Sequence, residues 1–265
     1  QRYIADILLP LVPAGSSITV GLSGGVDSVV LLHLLHKLSS SHPLRLHALH
    51  VHHGISRNAD AWAEFCSGLC AHLDIPLQVE HVDITPLREH GIEAAARKLR
   101  HAVFERQQTD FVAFAHHADD QAETLLLQLL RGAGVRGSAA MPFVRSGSNT
   151  PVLLRPLLNV PRSELLEYAR QHALQWVEDE SNSDDSYPRN FLRQHVLPLL
   201  EQLFPALVHD READAPDAGA HQVHPEQSRD EKVDVAGAGG RHVDVCGVDH
   251  VGAAGGALDR RVDLE

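Results

Sequence analysis

Apolar runs and amphipathic runs alternate along most of the chain. Short apolar or alternating segments predict β-strands, and longer segments with apolar residues three or four positions apart predict helices. Strands are predicted at 18–22, 44–54 and 77–82, helices at 26–38, 60–73 and 92–108, and a strand, a polar turn and a helix at 110–132. Because strands alternate with helices at this spacing, the pattern predicts an α/β fold with a doubly wound parallel sheet.

A small helical addition is predicted after the sheet. Residues 143–149 have the composition of a turn-rich linker. An amphipathic helix then begins at Pro161 and Ser163, and a second helix is predicted at 189–203. The chain therefore divides into a sheet domain at 1–145, a helical extension at 146–207 and a tail at 208–265.

The tail differs in composition from the rest of the chain. It holds 8 of the 19 glycines, and its only large aliphatic residues other than valine are Leu258 and Leu264. Its 13 acidic and 6 basic residues contribute -7 to the formal net charge of -12. We expect a low-complexity, acidic and disordered segment. A reading-frame shift near codon 207 and a natural acidic tail both account for it, and Gln1 in place of methionine suggests a fragment.

Polar side chains gather where three predicted strands end. Residues 23–28 follow the first strand, the histidine-rich residues 50–54 end the second, and residues 116–121 follow the strand that starts near Asp110. In open parallel sheets, ligands bind at the carboxyl ends of strands. One such group could be a zinc site or an acidic helix start. Three groups at adjacent strand ends predict a binding site.

The hexapeptide SGGVDS has the composition of an anion-binding loop. Gly24 and Gly25 let the backbone turn tightly and approach a ligand, and the helix that follows offers free N–H groups to phosphate oxygens. Ser23 and Ser28 add hydroxyl donors. Asp27 would repel phosphate unless a cation lay between them, so it is a candidate Mg²⁺ ligand. Helix capping by Asp27 is the alternative.

The sequence lacks the motifs that are typical of several other protein classes. Neither a Gly-x-x-x-x-Gly-Lys-Ser/Thr motif nor a strand followed by Gly-x-Gly-x-x-Gly occurs, which argues against P-loop motors and dinucleotide-binding proteins. No apolar run approaches the roughly 20 residues that span a bilayer, and no signal peptide pattern is present, so we expect a cytoplasmic protein without membrane contact. Cys66 and Cys70 have the spacing of two buried small apolar residues, rather than of a metal or redox pair.

The hexapeptide resembles the pyrophosphate-binding loop of the PP-loop superfamily of N-type ATP pyrophosphatases. Five further motifs follow it in order: HVHHGIS, IEAAARKLRH, HHADDQAETLLLQLLRGAG, RPLL and EDESNSDDSYPRNFLR. Together they resemble the bacterial tRNA(Ile)-lysidine synthetase family over residues 17–207. The resemblance implies a sheet of the adenine nucleotide α-hydrolase type.

The resemblance also implies a reaction that requires ATP and Mg²⁺. Its substrates would be free L-lysine and the isoleucine tRNA with a CAU anticodon. ATP adenylates the oxygen at carbon 2 of the wobble cytidine and releases pyrophosphate. The ε-amine of lysine then attacks that carbon and expels AMP, which leaves lysidine.

The same resemblance implies functional roles for the residues at the matching positions of this chain. The ATP-binding set is Ser23, Gly24, Gly25, Val26, Asp27, Ser28 and Arg97, and Asp27 is also the metal ligand. The catalytic set is Asp27, His117 and Asp120. The set that would bind the substrates is Gln121, Glu123, Asn182, Arg189, Asn190 and Arg193. The identity of a general base stays open.

Two other functions stay open. A tRNA-thiolating PP-loop enzyme would share the loop, although thiolating relatives carry a Cys-x-x-Cys pair that this chain lacks. An inactive ATP- or tRNA-binding remnant is the third hypothesis, because the family pattern ends near Ala206 and the tail does not resemble the family's tRNA-binding domains. A homodimer is a further expectation.

Overall fold

The structure, a computed structural model, describes residues 2–83, 92–134, 140–147 and 150–203. In the helix that begins at Ile92, side chains are described from Ala96 onward. The predicted tail at 208–265 lies outside the described residues. None of the helices in the described ranges is long and apolar enough to cross a membrane.

Six strands form one sheet in the described part of the chain. They are β1 (Ser17–Gly21), β2 (Arg45–His52), β3 (Leu77–His81), β4 (Phe111–Ala113), β5 (Val144–Gly147) and β6 (Thr150–Leu154). Their order across the sheet is β3-β2-β1-β4-β6-β5, and only the β5–β6 pair is antiparallel. The strand order reverses between β1 and β4, and such a switch point opens a crevice at the carboxyl ends of the strands.

The helices connect and flank these strands. They are α1 (Arg2–Leu8), α2 (Val26–Ser39), α3 (Ala59–His72), α4 (Ile92–Glu105), α5 (Ala118–Leu130), α6 (Arg162–Gln171), α7 (Pro188–Phe191) and α8 (Leu197–Leu203). A 3-10 turn lies at Glu180–Ser183 and a π-helical turn at Leu192–Val196. The single helix predicted at 189–203 is therefore α7, a π-helical turn and α8 in succession.

Apolar residues on both faces of the sheet carry the core. On one face, Ile18 and Val20 of β1 belong to a large cluster with α1, α2, α3 and α6. On the other face, Leu49 of β2 packs with Val103 and Phe104 of α4. Successive side chains of a strand point to opposite faces, so helices on both faces require strands that are apolar on both sides. The prediction of a doubly wound α/β sheet is confirmed.

Two strands were not predicted from the hydrophobic pattern. The segment 143–149, predicted as a linker, contains β5, and β6 follows at once. Both strands are short, and β6 begins with Thr150 and Pro151, so neither shows a clear alternation. They form because β6 pairs with β4 and β5 pairs with β6. The boundary between residues 145 and 146 falls inside β5, and the division into domains stays a prediction.

The two cysteines of α3 are buried and free. Cys66 is 0% and Cys70 is 1% exposed, and both lie in the large cluster. Burial raises the pKa of Cys66 to about 12 and that of Cys70 to about 11. Both therefore stay protonated near neutral pH and pack as small apolar residues, as the sequence predicted.

We predict that Leu35→Ala destabilises the fold strongly. Leu35 of α2 is 0% exposed, so truncation leaves a cavity in the large cluster. The expected loss is about 2–5 kcal/mol in the free energy of unfolding, measured by urea denaturation. The matched control is Leu130→Ala on α5, where the side chain is 73% exposed. A loss at Leu35 no larger than that at Leu130 would contradict this description of the core.

Candidate active site

The polar groups at the strand ends lie on neighbouring strands. Residues 23–28 follow β1, residues 50–54 continue from β2, and residues 116–121 follow β4, with β1 between the other two. Because these strands are parallel, all three groups lie at one edge of the sheet. At this edge an oxygen of Asp27 lies 3.7 Å from Nε2 of His117. The crevice at the switch point is therefore lined by residues of two of the predicted groups.

The loop between β1 and α2 is closed by its own serines. The Ser23 and Ser28 hydroxyls lie 3.1 Å apart, the Gly25 N–H donates to Ser23 Oγ at 3.3 Å, and the Ser28 hydroxyl donates to the Gly25 carbonyl at 2.9 Å. Helix α2 begins at Val26, and no side chain caps it. Asp27 lies in the first turn, so the capping alternative is wrong. The uncapped helix start leaves N–H groups for an anion.

Gly24 is required where the loop meets a distant segment. Its φ of 91° lies in the region that favours glycine, and a Cβ there would lie 2.8 Å from Cγ2 of Val177. The Val177 N–H donates to the Gly24 carbonyl at 3.0 Å. The segment before the acidic loop therefore packs directly on the anion-binding loop.

The Asp27 carboxylate has an unsatisfied oxygen. Its Oδ1 is buried and lacks a hydrogen-bond partner, while Nε of Arg162 lies 3.9 Å from it. Burial raises the pKa of Asp27, and the charges of His117 and Arg162 oppose this effect. Mg²⁺ in nucleotide sites is commonly held by one or two carboxylates together with phosphates. One unsatisfied carboxylate oxygen beside an anion-binding loop fits such an ion.

Three carboxylates surround His117. Its ring nitrogens lie 3.7 Å from Asp27, 3.6 Å from Asp119 and 3.5 Å from Asp120. The Asp120 carboxylate also accepts the His117 backbone N–H at 3.1 Å, which fixes the start of α5. Burial alone would lower the pKa of His117, but the three carboxylates outweigh it and raise the pKa. His117 is thus a titratable group placed between the loop aspartate and α5.

An ion pair with a fully buried carboxylate joins α5 to the segment at 188–196. Glu123 has 0% exposed side chain, and Arg193 donates to its two oxygens at 2.6 and 3.1 Å. Arg189 lies 3.8 Å from Glu123 and donates to the Thr124 hydroxyl at 2.7 Å. Burial raises the pKa of Glu123, and Arg193 opposes this; Glu123 in turn raises the pKa of Arg193. Arg193 also lies 3.8 Å from Asp120, so the pair extends to the residues around His117.

The other predicted substrate ligands contact the protein backbone. Gln121 is buried, and both its amide atoms bond to the backbone of Met141, at 2.7 and 2.8 Å. Asn190 donates to two carbonyls of the acidic loop at 2.8 Å each. The backbone carbonyl of Asn182 accepts a hydrogen bond from the Gln194 side chain at 2.9 Å. These contacts hold segments in place, and binding of substrates by these residues stays a prediction.

The histidines at the end of β2 have structural contacts. His50 is 4% exposed, and its Nδ1 lies 2.9 Å from the Leu22 carbonyl and 3.6 Å from Sγ of Cys66. Burial lowers the pKa of His50, so the ring stays neutral near pH 7. His52 lies 2.9 Å from the carboxylate of the exposed Asp60. His50 therefore contacts the backbone at Leu22, directly before the anion-binding loop.

Arg162 is a site residue that received no role from the sequence, whereas Arg97 was assigned to ATP. Arg162 is near Asp27, and its backbone N–H donates to Asp119 at 3.0 Å. Arg162 opens α6 immediately after Pro161, but only the packing of α6 against α2 brings it to the loop. Arg97 lies on α4, and its charge contributes to the lowered pKa of His116. A contact between Arg97 and ATP stays a prediction.

A family model described as a PP-loop domain matches residues 1–200 of the chain. The chain belongs to the PP-loop domain family. This membership agrees with the anion-binding loop, the uncapped helix start and the switch point described above. It also confirms the resemblance that the hexapeptide SGGVDS indicated.

Two curated relatives of this PP-loop chain carry the name tRNA(Ile)-lysidine synthase. It is 56% identical over 194 residues to the tRNA(Ile)-lysidine synthase of Nitrosomonas europaea, which covers 72% of this chain and 42% of that protein. It is 49% identical over 203 residues to the protein of the same name from Aromatoleum aromaticum, which covers 74% of this chain and 48% of that protein. The chain thus spans less than half the length of these two relatives.

A solved structure supports the fold. The U34-tRNA thiolase NcsA from Methanococcus maripaludis matches with a TM-score of 0.63 and 20% identity. The match covers 78% of this chain and 73% of that one. At this identity the likeness concerns the fold.

We predict that Gly24→Ala destabilises the protein while Gly25→Ala does not. A Cβ at Gly24 meets Val177 and forces an L-residue into a left-handed conformation, whereas a Cβ at Gly25 meets its nearest atom, Ser23 Oγ, at 3.5 Å. The expected loss for Gly24→Ala is about 1–3 kcal/mol, measured by thermal unfolding of both variants. Equal stability of the two variants would contradict the described contact between the loop and Val177.

We predict a pH-dependent stability contribution from His117. Its folded pKa is raised above 6.5, so its protonation stabilises the fold below that pH, and the contribution is lost as the pH rises through the folded pKa. His117→Gln should therefore destabilise the protein more at pH 6 than at pH 9, measured by urea denaturation. The control is the exposed His47→Gln, for which no such difference is expected. A larger loss in the free energy of unfolding at pH 9 than at pH 6 would contradict a raised pKa of His117.

Proposed function

We propose that this chain carries the site that forms lysidine on the isoleucine tRNA with a CAU anticodon. One observation carries the proposal: the loop aspartate Asp27 and His117 face each other at 3.7 Å, in a chain 56% identical over 194 residues to a tRNA(Ile)-lysidine synthase. Free L-lysine and ATP are the other substrates in this proposal.

The first step is adenylation of the cytidine. ATP places its β- and γ-phosphates on the loop at 23–28, where the N–H groups of the α2 start can donate and the two serine hydroxyls hold the loop in shape. The carbonyl oxygen at carbon 2 attacks the α-phosphate, and pyrophosphate leaves. Mg²⁺, held by Asp27, would neutralise the phosphate charge that repels the incoming oxygen. His117 holds the orientation of Asp27 from α5.

The second step is attack by lysine. The ε-amine must lose protons as it bonds to carbon 2 of the base and as AMP leaves. Asp120 has 14% exposed side chain and lies between His117 and Arg193, so it is placed to attract the ammonium. His117, with its ring between three carboxylates, is placed to take a proton. Arg193 stays paired with Glu123 and holds Asp120 in place.

Further expectations belong to this proposal. The reaction uses Mg²⁺ with ATP, and the substrates are those of the cytoplasm, where tRNA is modified. A homodimer stays a prediction. Thiolation and an inactive remnant are the alternatives that the test must separate.

The test is mass spectrometry of the nucleosides. The full chain is incubated with a tRNA(Ile) transcript bearing the CAU anticodon, ATP, Mg²⁺ and isotope-labelled lysine, and the RNA is then digested. A labelled cytidine whose mass gain equals one lysine minus water supports the proposal. Exchange of oxygen for sulfur would indicate thiolation. ATP binding without a modified nucleoside would indicate a remnant and sink the proposed activity.

We predict that Asp27→Ala abolishes pyrophosphate release and leaves the fold intact. The change removes the carboxylate beside the transferring phosphates without touching a core position. The rate of pyrophosphate release should fall by about 100-fold or more, because neutralisation of phosphate charge is a dominant catalytic term. The matched control is Asp6→Ala on the exposed side of α1, which should keep the wild-type rate. Wild-type pyrophosphate release by Asp27→Ala would refute the role of Asp27.

A further inference from the structure

Arg155 is a buried cation without a carboxylate partner in the described part of the chain. It follows β6 directly and is 5% exposed. Its Nη1 donates to the Pro142 carbonyl at 2.6 Å, but its Nε is buried and has no hydrogen-bond partner. Among the described residues, no Asp or Glu oxygen lies within ion-pair distance of it. An isolated charge inside a protein is costly, so an uncompensated guanidinium calls for an explanation.

Two more arginines lie close to Arg155. Burial lowers the pKa of Arg155 to about 10, and the positive charges of Arg145 and Arg97 lower it further. Arg145 lies on β5 opposite Leu153, and its own partner is Glu105, at 3.3 Å, with both side chains about half exposed. The positive charges of Arg145 and Arg97 therefore add to that of Arg155 at this end of the sheet.

His116 completes this group from the end of β4. Burial lowers its pKa to about 4; the negative charge of Asp120 opposes this, and the positive charges of Arg155, Arg97 and Arg189 add to it, so the ring is neutral at pH 7. Its buried Nδ1 has no hydrogen-bond partner. A neutral imidazole can donate one N–H without adding charge. Two buried nitrogens, Nε of Arg155 and Nδ1 of His116, thus lack partners in one basic region.

The position of this region is fixed by the sheet. Because β4 and β6 are parallel neighbours, with Ala113 opposite Leu154, His116 and Arg155 both lie beyond the carboxyl ends of their strands. His117, the next residue, contacts Asp27 of the anion-binding loop. The basic region therefore adjoins the candidate active site, on the side away from β2.

We propose that Arg155, together with Arg97, Arg145 and His116, forms a second phosphate-binding site at the carboxyl ends of β4 and β6. A guanidinium with free N–H groups matches phosphate oxygens in geometry and charge, and burial strengthens the bond. The phosphate comes from the RNA backbone or from the nucleotide. This inference rests on the proposed function only in the choice of those two sources.

The first test asks whether the site binds phosphate at all. Thermal unfolding of the full chain is measured with inorganic phosphate and with chloride at equal ionic strength, for the wild type, Arg155→Gln and Arg170→Gln. Arg170 is an exposed arginine of α6 and matches the charge change. Phosphate should raise the Tm of the wild type and of Arg170→Gln more than that of Arg155→Gln. Equal rises in all three proteins would overturn the proposal.

A second variant distinguishes loss of phosphate binding from misfolding. Arg155→Lys keeps the charge but loses the planar fork, so it should show native stability in chloride and a reduced response to phosphate. Loss of the folded state in both Arg155 variants, with phosphate unable to change the wild-type Tm, would mean a structural role and would overturn the proposal. A full phosphate response in a folded Arg155→Lys would also count against a forked contact.

The second test identifies the source of the phosphate. Equilibrium binding of ATP and of an anticodon stem-loop RNA is measured separately for the same proteins. Loss of one charge-assisted contact should raise the Kd of the affected ligand about tenfold. Weaker RNA binding alone assigns the site to the RNA backbone, and weaker ATP binding alone assigns it to the nucleotide. Unchanged binding of both ATP and the RNA by Arg155→Gln would refute the proposal. Because both are binding measurements, they can be read even if the chain forms no lysidine.

Discussion

The paired charges of Glu123 and Arg193 hold the two ends of the site together. A carboxylate with 0% exposed side chain is stable inside a protein only if its oxygens are compensated, and Arg193 compensates both of them from 70 residues away. The pair fixes α5 against the π-helical turn at Leu192–Val196. Such turns are rare and frequent at functional sites. Asp120, one turn before Glu123, and His117, at the N-cap of α5, take their positions from this contact.

A second tie acts at the anion-binding loop. Gly24 accepts a backbone hydrogen bond from Val177 and has no room for a side chain at that contact. The residues that follow β6 in sequence therefore pack on both sides of the crevice, against the loop through Val177 and against α5 through Arg193. The helical segment at 162–203 is thus part of the site's framework and shapes it from outside the sheet.

Charge is distributed unevenly along the carboxyl edge of the sheet. Asp27, Asp119 and Asp120 surround His117 near the switch point, while Arg155 and its basic neighbours lie beyond β4. A cationic amine and a phosphate-rich substrate would each be attracted to a different part of this edge. Opposite charges in adjacent regions can therefore orient two substrates toward one reacting atom.

The sequence by itself determined the alternation of strands and helices, the anion-binding loop and the family, because these depend on local periodicity and on short motifs such as SGGVDS. It did not reveal β5 and β6, since these short segments become strands only because β6 pairs with β4 and β5 pairs with β6. Nor could it place Arg162 beside Asp27, or show that Glu123 binds Arg193 and that Arg155 meets no carboxylate among the residues that the structure describes. Those contacts join residues far apart in the chain, and only the packing of α5, α6 and the sheet decides which charges meet and which are left unpaired.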